Sequence, residues 1–357
     1  MSITDIFIII SASLIGILYL LKLRSYDIYE KEPFYKLLLM MILGGLVSVF
    51  VSLVIYVFIP VEHNLFDAIF KIGIIEESSK LFALVILYLI IKKDFNEIVD
   101  GIMYISAIAL GFAVIENISY CFNSEEPFLL LFNRSIFAVM GHISFSGYMG
   151  IAFYIHKKVH KNYIGILVSL AISALAHGFY DGVIFHYELS SFFQFVFLGL
   201  VILQFWLLRT ALGFSERRVK LNEALFNTAN TTLFLHCCHC DKNIQSKELN
   251  FRKIKAGQCE HCGYYVFNEE SIYQLLKYFC PIKNHKRFIK NLPTYTKILT
   301  LDENNSIRFN MHTKYLSADI NALSAFLDYC NTSDKERIFK IPVIGFLFKY
   351  LGLRYMK

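Results

Sequence analysis

The sequence predicts an all-α polytopic membrane protein that continues into a small α+β part outside the membrane, and three observations predict it. Hydrophobic residues make up 56% of the 357 residues and charged residues only 18%, whereas a soluble domain is about 45–50% apolar and about 25% charged. The long apolar segments are confined to residues 1–212, which carry a net charge of −3. Residues 213–357 carry a net charge of +9. This composition excludes an ordinary soluble enzyme and a disordered chain.

Apolar segments long enough to cross a bilayer as helices recur through the first part of the chain. A transmembrane helix needs about 20 predominantly apolar residues. The first such segment has no basic region before it and no small-residue cleavage site after it, so we expect a retained helix and not a signal peptide. About seven transmembrane helices are predicted, at 3–22, 36–59, 74–91, 98–120, 129–155, 163–186 and 190–212.

The basic residues of the connecting loops predict the orientation, because cytoplasmic loops carry an excess of Lys and Arg. Nine fall on one side of the membrane and two on the other. The nine are Lys22, Arg24, Lys31, Lys36, Lys92, Lys93, Lys157, Lys158 and Lys161, and the two are Lys71 and Arg134. We therefore expect a multi-pass protein of the cell membrane with its N-terminus outside and its C-terminal part in the cytoplasm.

Ionisable residues interrupt four of the predicted helices. Each costs about 2.5–3.5 kcal/mol on insertion scales and therefore needs a reason. The predicted topology places all of them in the outer half of the membrane, which favours one shared polar site over separate structural ion pairs. They are Glu76, Glu77 and Lys80 in the third helix, Glu116 in the fourth, His142 in the fifth, and His177 and Asp181 in the sixth.

These residue types suit a hydrolase. A carboxylate can act as the general base that activates water, and a histidine can donate a hydrogen bond to a developing oxyanion. The sequence contains neither the Gly-x-Ser-x-Gly motif of a serine nucleophile nor a His-Glu-x-x-His metal motif. The pattern therefore indicates hydrolysis by activated water.

The motifs resemble those of the PrsW family of intramembrane proteases. The resemblance covers about residues 30–212 and rests on Glu76-Glu77-x-x-Lys80, Phe112-x-x-x-Glu116 and His177-x-x-x-Asp181, with His142 where the family also carries a histidine. It implies an endopeptidase that cuts membrane-anchored proteins, such as anti-sigma factors, near the extracytoplasmic face. It also implies kinship with the type II CAAX prenyl endopeptidases.

The resemblance implies a role for each polar residue. Glu76 would activate water, Glu77 and Lys80 would set its ionisation, and His177 and Asp181 would match the oxyanion pair of the CAAX enzymes. Two departures from those enzymes are Glu116, where they carry His, and Asp181, where they carry Asn. These departures also count against a prenyl-peptide endopeptidase or an immunity-type relative.

The same residues leave open whether the site binds a catalytic metal. Glu76, Glu116, His142 and His177 together could bind one. Sequence does not separate this from a metal-free mechanism, and we favour hydrolysis by the glutamate.

Two Cys-x-x-Cys pairs in the second part predict a structural zinc site. The pair Cys237 and Cys240 is separated by 18 residues from the pair Cys259 and Cys262, a spacing typical of a four-cysteine zinc ribbon. Disulfides are the alternative, but the predicted compartment is reducing. Cys238, His236, His239 and His261 are expected not to bind the metal.

The predicted domains are a transmembrane protease domain over 1–212, a zinc-ribbon-like module over 213–270 and a small mixed module over 271–357. Within the last, we expect an extended segment at 295–300. The tail from 337 to 357 could lie on the inner leaflet or pack on the module as a last helix.

The predicted function is an intramembrane endopeptidase in contact with the lipid bilayer and a membrane-anchored protein substrate. No nucleic acid is expected, and a protein partner could bind the zinc ribbon. The alternative is a non-enzymatic transporter or sensor that uses the same polar cluster. Transporters often show internal repeats and helices broken by Gly or Pro, and the sequence has no repeat and no proline inside the third to sixth predicted helices, which counts against that alternative.

Overall fold

The computed structural model describes residues 2–62, 64–185, 190–218, 221, 227–299 and 306–356. The chain forms two compact units. The membrane unit comprises Met1–Glu216 with Pro342–Lys357, and the second unit comprises Arg217–Ile341. The expected three-part division of the chain stays a prediction.

Five helices in the described part of the membrane unit are long and apolar enough to cross a bilayer. Their lengths follow from uninterrupted apolar stretches bounded by polar or proline-containing turns. They are α1 (Ile3–Tyr26), α2 (Phe34–Phe58), α4 (Ile98–Phe122), α5 (Pro127–Val159) and α6 (Tyr163–Phe185).

The remaining two predicted spans are also helical, but they are not both long enough and apolar enough to be counted as transmembrane helices. Helix α3 (Gly73–Ile91) has 19 residues and carries Glu76, Glu77 and Lys80, so it is too charged. Helix α7 (Ser190–Phe214) follows residues 186–189, which lie outside the described part of the chain. Its described apolar stretch, Val201–Phe214, is too short to cross a bilayer. Five spans are thus supported, and the count of seven stays a prediction.

Helix α4 is the centre of the membrane unit and is almost wholly buried. The helices around it expose large apolar side chains, among them Phe50, Val57 and Leu89. In water such a surface would be costly, whereas lipid tails accept it. The membrane unit therefore has an apolar surface, and its buried ionisable groups lie in the interior.

Glycines allow neighbouring helices of the membrane unit to approach each other closely. A Cβ atom on Gly101 of α4 would lie 2.2 Å from the carbonyl oxygen of Gly150 on α5. A Cβ on Gly73 would lie 2.1 Å from the carbonyl oxygen of Ala174 on α6. Small residues at such contacts are typical of helix packing in membranes. A single π-helical turn, Ala68–Ile72, leads into α3 at this contact.

The second unit is an antiparallel sheet with helices packed on it. The six strands have the order β1-β2-β3-β4-β6-β5, which confirms a small α+β part. The strands are β1 (Asn227–Cys237), β2 (Lys242–Phe251), β3 (Ile254–Gln258), β4 (Tyr265–Phe267), β5 (Ile307–Asn310) and β6 (Tyr315–Ala318). The helices are α8 (Glu269–Phe279), α9 (His285–Leu299) and α10 (Ile320–Lys340).

The expectation of an extended segment at 295–300 is wrong, because the described residues up to Leu299 belong to α9. Phe288, Ile289, Leu292 and Tyr295 recur at helical spacing. The first three are buried in the apolar core of this unit, and Tyr295 packs against that core. This one-sided burial stabilises the helix even though it contains Pro293.

The C-terminal segment returns to the membrane unit. Helix α11 (Pro342–Leu351) packs on α6 and α5, the Phe348 ring lies 5.9 Å from that of Trp206, and the Asn162 side chain donates to the Tyr350 carbonyl at 3.0 Å. The expected alternative of a last helix on the mixed module is therefore not observed.

Candidate active site

Glu76 lies in the first turn of α3 and is buried. Its Oε1 atom accepts a hydrogen bond from the Tyr56 hydroxyl at 3.0 Å. Its Oε2 atom is buried and has no hydrogen-bond partner within the part of the chain that the structure describes; it lies 3.6 Å from Nε2 of His177 and 4.0 Å from Nζ of Lys80. One carboxylate oxygen is thus fixed by Tyr56, while the other faces the centre of the site.

Glu77, the next residue, is fully engaged by the protein. Its Oε1 atom accepts from Lys80 at 2.6 Å and lies 2.9 Å from Nδ1 of His177. Its Oε2 atom accepts from the Ser146 hydroxyl at 2.7 Å. Lys80 is therefore the close partner of Glu77 and not of Glu76. A buried charge pair with this many hydrogen bonds is held rigidly.

His177 connects α6 to this network through both ring nitrogens. Glu77 contacts Nδ1, while Nε2 lies 3.3 Å from Oδ2 of Asp181, one turn further along the same helix. The Phe145 ring stacks on the imidazole with ring centres 4.9 Å apart. These contacts fix the ring so that Nε2 points towards Glu76.

A second histidine completes the cluster. Nδ1 of His142 lies 3.0 Å from Nζ of Lys80, and its Nε2 lies 2.9 Å from Oε2 of Glu116. That same oxygen lies 2.9 Å from an Arg134 guanidinium nitrogen, and Arg134 also donates to the side chain of Asn117. Helices α4 and α5 are thereby joined to α3 through polar contacts.

The structure brings all seven predicted site residues into one connected polar cluster, although their catalytic roles stay predictions. They are Glu76, Glu77, Lys80, Glu116, His142, His177 and Asp181. Three contacting residues were not identified from sequence: Tyr56, Arg134 and Ser146. Only Arg134, a charge inside an apolar segment, carried a signal that could have found it.

A metal ion fits part of this cluster. Glu76, His142 and His177 each offer a ligand atom, and these atoms lie within 4.8 Å of one another. The unpartnered Oε2 of Glu76 is a suitable ligand, and Glu77 at Nδ1 of His177 resembles the carboxylate that orients a metal-binding histidine. Both nitrogens of His142 are engaged, so its ligation would displace Lys80 or Glu116. Glu116 is not in this group, unlike the expected four-residue set.

The four paired cysteines of the second unit form another group that could hold a metal. Their sulfur atoms also lie within 4.8 Å of one another, with Cys237 3.6 Å from Cys262 and Cys240 3.7 Å from Cys259. All eight cysteines are free thiols, so the disulfide alternative is wrong. Zinc itself stays a prediction.

Local backbone geometry explains how each pair is presented. Each Cys-x-x-Cys turn ends at a residue with positive φ, Asp241 at 58° and Gly263 at 74°. Burial would raise the pKa of the Cys237 thiol, but hydrogen bonds from the backbone of Cys240 and His239 outweigh it and lower the pKa to about 7. A thiolate is the form that binds a metal. His239 stacks on Tyr264.

A membrane-embedded cluster of carboxylates, histidines and a lysine on converging helices defines a hydrolase that works within the bilayer. The sequence profile described as "PrsW family intramembrane metalloprotease" matches residues 32–208. The chain belongs to this family and is a protease. This membership replaces the alternative of a non-enzymatic transporter or sensor.

Several relatives, each named "Protease PrsW", support the assignment. The protein of Oceanobacillus iheyensis is 36% identical over 178 residues, which are 46% of this chain and 79% of the relative. That of Clostridioides difficile is 31% identical over 192 residues, 50% of this chain and 78% of the relative. That of Bacillus subtilis is 32% identical over 213 residues, 57% of this chain and 94% of the relative. No solved structure gives a significant match.

Proposed function

We propose that this protease hydrolyses peptide bonds of membrane-anchored proteins near the extracytoplasmic face, with water activated by Glu76. The observation that carries the proposal is the pair formed by Oε2 of Glu76 and Nε2 of His177. The oxygen is buried, no described residue forms a hydrogen bond with it, and it lies 3.6 Å from the nitrogen. A base and a hydrogen-bond donor are thus side by side, as the addition of water to a carbonyl requires.

The proposed reaction uses these two groups in sequence. Glu76 takes a proton from water as the water oxygen attacks the peptide carbonyl carbon. The carbonyl oxygen becomes an oxyanion that His177 stabilises by hydrogen bonding. When the carbon–nitrogen bond breaks, Glu76 returns the proton to the leaving amine, so that a carboxylate and an amine are released.

The surrounding residues keep this pair in position. Tyr56 fixes one oxygen of Glu76, and Glu77 and Asp181 hold the two nitrogens of His177. Lys80 neutralises Glu77, which leaves Glu76 as the carboxylate with an oxygen facing the centre of the site. Rigid support of this kind sustains catalytic geometry.

The family description names a metalloprotease, and Glu76, His142 and His177 would hold the metal. Bound there, it would polarise the scissile carbonyl and make its bound water more acidic. Glu77 would then orient His177 as a ligand.

The proposed substrates are membrane-anchored proteins such as anti-sigma factors, which the resemblance implies. The second unit is proposed to bind a structural zinc ion through its four paired cysteines, which would stabilise this small fold in the cytoplasm and leave it available to a protein partner. No nucleic-acid partner is proposed.

The test compares the membrane proteins of cells that carry the wild-type protein, Glu76→Gln or Glu62→Gln. Glutamine keeps the size of Glu76 but is not a general base at neutral pH. Glu62 is an exposed glutamate of the loop before α3 and serves as the matched control. We expect fragments of membrane-anchored proteins in the wild-type and Glu62→Gln cells only. The same fragments in Glu76→Gln cells would contradict the proposal.

Chelation distinguishes the two forms of hydrolysis. The purified wild-type protein and the Cys237→Ser variant are each treated with a chelator and then supplied with zinc. If both lose proteolysis on chelation and regain it with zinc, the metal that proteolysis needs is bound in the membrane unit and not by the cysteines. Proteolysis that survives chelation supports Glu76 acting without one.

A further inference from the structure

A second buried polar cluster lies at the opposite end of the membrane unit from the active site. It contains Asp27, which follows α1, Glu97, which precedes α4, and Asp100 in the first turn of α4. All three side chains are fully buried. Asp100 and Glu116 lie sixteen residues apart on α4, which is about 24 Å along a helix. The two clusters are therefore separate.

Each of the three carboxylates is fixed through one oxygen and has a second that is unsatisfied. Oδ2 of Asp27 accepts from the backbone of Glu32 at 3.2 Å, and Oδ2 of Asp100 accepts from the backbone of Glu97 at 2.7 Å. Oε2 of Glu97 accepts from the Ser215 hydroxyl. The other oxygens, Oδ1 of Asp27, Oε1 of Glu97 and Oδ1 of Asp100, are buried and have no hydrogen-bond partner among the described residues.

The three side chains converge on one point. Each offers a carboxylate oxygen within 4.8 Å of the others. A fourth buried carboxylate, Glu32, interacts with Asp100 and accepts from the Tyr104 hydroxyl. Burying several like charges together is costly, and either protonation of the carboxyl groups or a bound cation removes that cost.

We propose that Asp27, Glu97 and Asp100 bind a divalent cation of the hard class, Mg²⁺ or Ca²⁺, which ties α1 to the start of α4. Oxygen-only ligands suit these ions and not zinc, for which imidazole and thiolate are the common ligands. The site is preorganised, because backbone and side-chain donors already orient each carboxylate. Its role is to stabilise the helix ends on this face, independently of proteolysis.

The test measures thermal unfolding of the full chain, purified in detergent and freed of metals, with and without MgCl₂ or CaCl₂. We expect at least one of the two salts to raise the unfolding temperature of the wild-type protein by several degrees. Glu97→Gln and Asp100→Asn should lose this shift. Both keep the size of the side chain and remove a buried negative charge, so they should fold without the cation.

Two controls make the result specific. Glu76→Gln should keep the full shift, because its carboxylate belongs to the other cluster. Equilibrium dialysis with ⁴⁵Ca²⁺ should find one more bound ion per wild-type chain than per Glu97→Gln chain if calcium is the ion that stabilises. The proposal is overturned if neither salt shifts the wild-type protein, or if the shift survives in both Glu97→Gln and Asp100→Asn. Loss of the shift in Glu76→Gln alone would also overturn it, by assigning the ion to the active site.

Discussion

Asp181 contacts His177 at 3.3 Å and is its only acidic contact on the same helix within the described residues. Two roles are distinguishable: a protonated donor that asparagine could replace, and an anion that orients His177. Glu77 already occupies Nδ1 of the imidazole, so Asp181 is placed as the orienting group at Nε2. We propose that Asp181 is an anion, which requires His177 to carry a proton on each ring nitrogen, the form that can also donate a hydrogen bond to the oxyanion.

Asp181→Asn is accordingly expected to lower the rate of substrate cleavage about 10- to 100-fold, the usual effect of losing a carboxylate that orients a functional histidine. The measurement is the turnover of a substrate fragment identified through the Glu76→Gln comparison, with Glu62→Gln as the control. The fall should lie in kcat and not in KM, because Asp181 acts through His177. A wild-type rate would instead assign Asp181 as a donor.

At this scale the sequence predicts the charged members of the site but not their supports. Glu76, Lys80 and His177 are conspicuous because an ionisable group inside an apolar helix is costly. Tyr56 and Ser146 are ordinary residues in such helices, and nothing local distinguishes them. Which carboxylate Lys80 contacts depends on its rotamer and on the position of His142, which spacing alone does not determine.

Gly178, the residue after His177, lets helix α6 pack closely beside the active site. A Cβ atom at Gly178 would lie 2.5 Å from the Ala68 carbonyl oxygen and 2.4 Å from that of Ile69. Both carbonyls belong to the π-helical turn that leads into α3. The distance between Glu76 and His177 therefore depends on a glycine at this position.

Gly178→Ala is expected to reduce proteolysis about 100-fold, because a displacement of about 1 Å between catalytic groups has effects of that size. The added methyl group should also destabilise the protein by about 1–3 kcal/mol through overpacking. The matched control is Gly199→Ala on α7, since nothing lies within 4 Å of a Cβ there. Cleavage rate and protein level are measured together. Equal rates in the two variants would show that the close approach is not needed.

The two cysteine turns of the second unit form a separate element with its own requirement. Cys237→Ser in the full chain, purified without chelator, is expected to reduce bound zinc by one equivalent and to lower the unfolding temperature, since such sites fold around the metal. Cys238→Ser is the matched control, because Cys238 lies beside the cluster and hydrogen-bonds to the backbone of Tyr315. If the Cys237→Ser protein binds as much zinc as the wild-type protein, the four cysteines do not bind it.

Elements were predictable where a single strong signal determines them. Apolar length predicts the five supported spans, and cysteine spacing predicts the paired turns. Helix α9 was missed because a short mixed stretch around Pro293 gives no clear period until its apolar face is buried against the unit's core. The place where α11 packs depends on long-range contacts such as Phe348 with Trp206, which no local pattern contains.

Within the membrane unit, Glu116 of the active site lies near one end of α4, and Asp100 of the cluster with Asp27 and Glu97 lies near the other. The two clusters are therefore at opposite ends of that helix. Basic residues lie at the same end as the cluster of Asp27, Glu97 and Asp100: Lys92 and Lys93 precede α4, Lys157 and Lys158 lie in the last turn of α5, and Lys161 follows α5. The positive-inside rule then predicts that this end faces the cytoplasm. Proteolysis is consequently expected at the outer face.

This orientation is testable by labelling with a membrane-impermeant maleimide. Glu125, in the loop between α4 and α5, and Lys161, in the loop between α5 and α6, are both exposed. We expect Glu125→Cys to be labelled in intact cells and Lys161→Cys only after permeabilisation, because the two loops lie on opposite sides of the bilayer. Peptide masses separate these sites from the native thiols, of which Cys121, near Glu125, is buried. Labelling of Lys161→Cys in intact cells, with Glu125→Cys protected, would reverse the topology and place the active site at the cytoplasmic face.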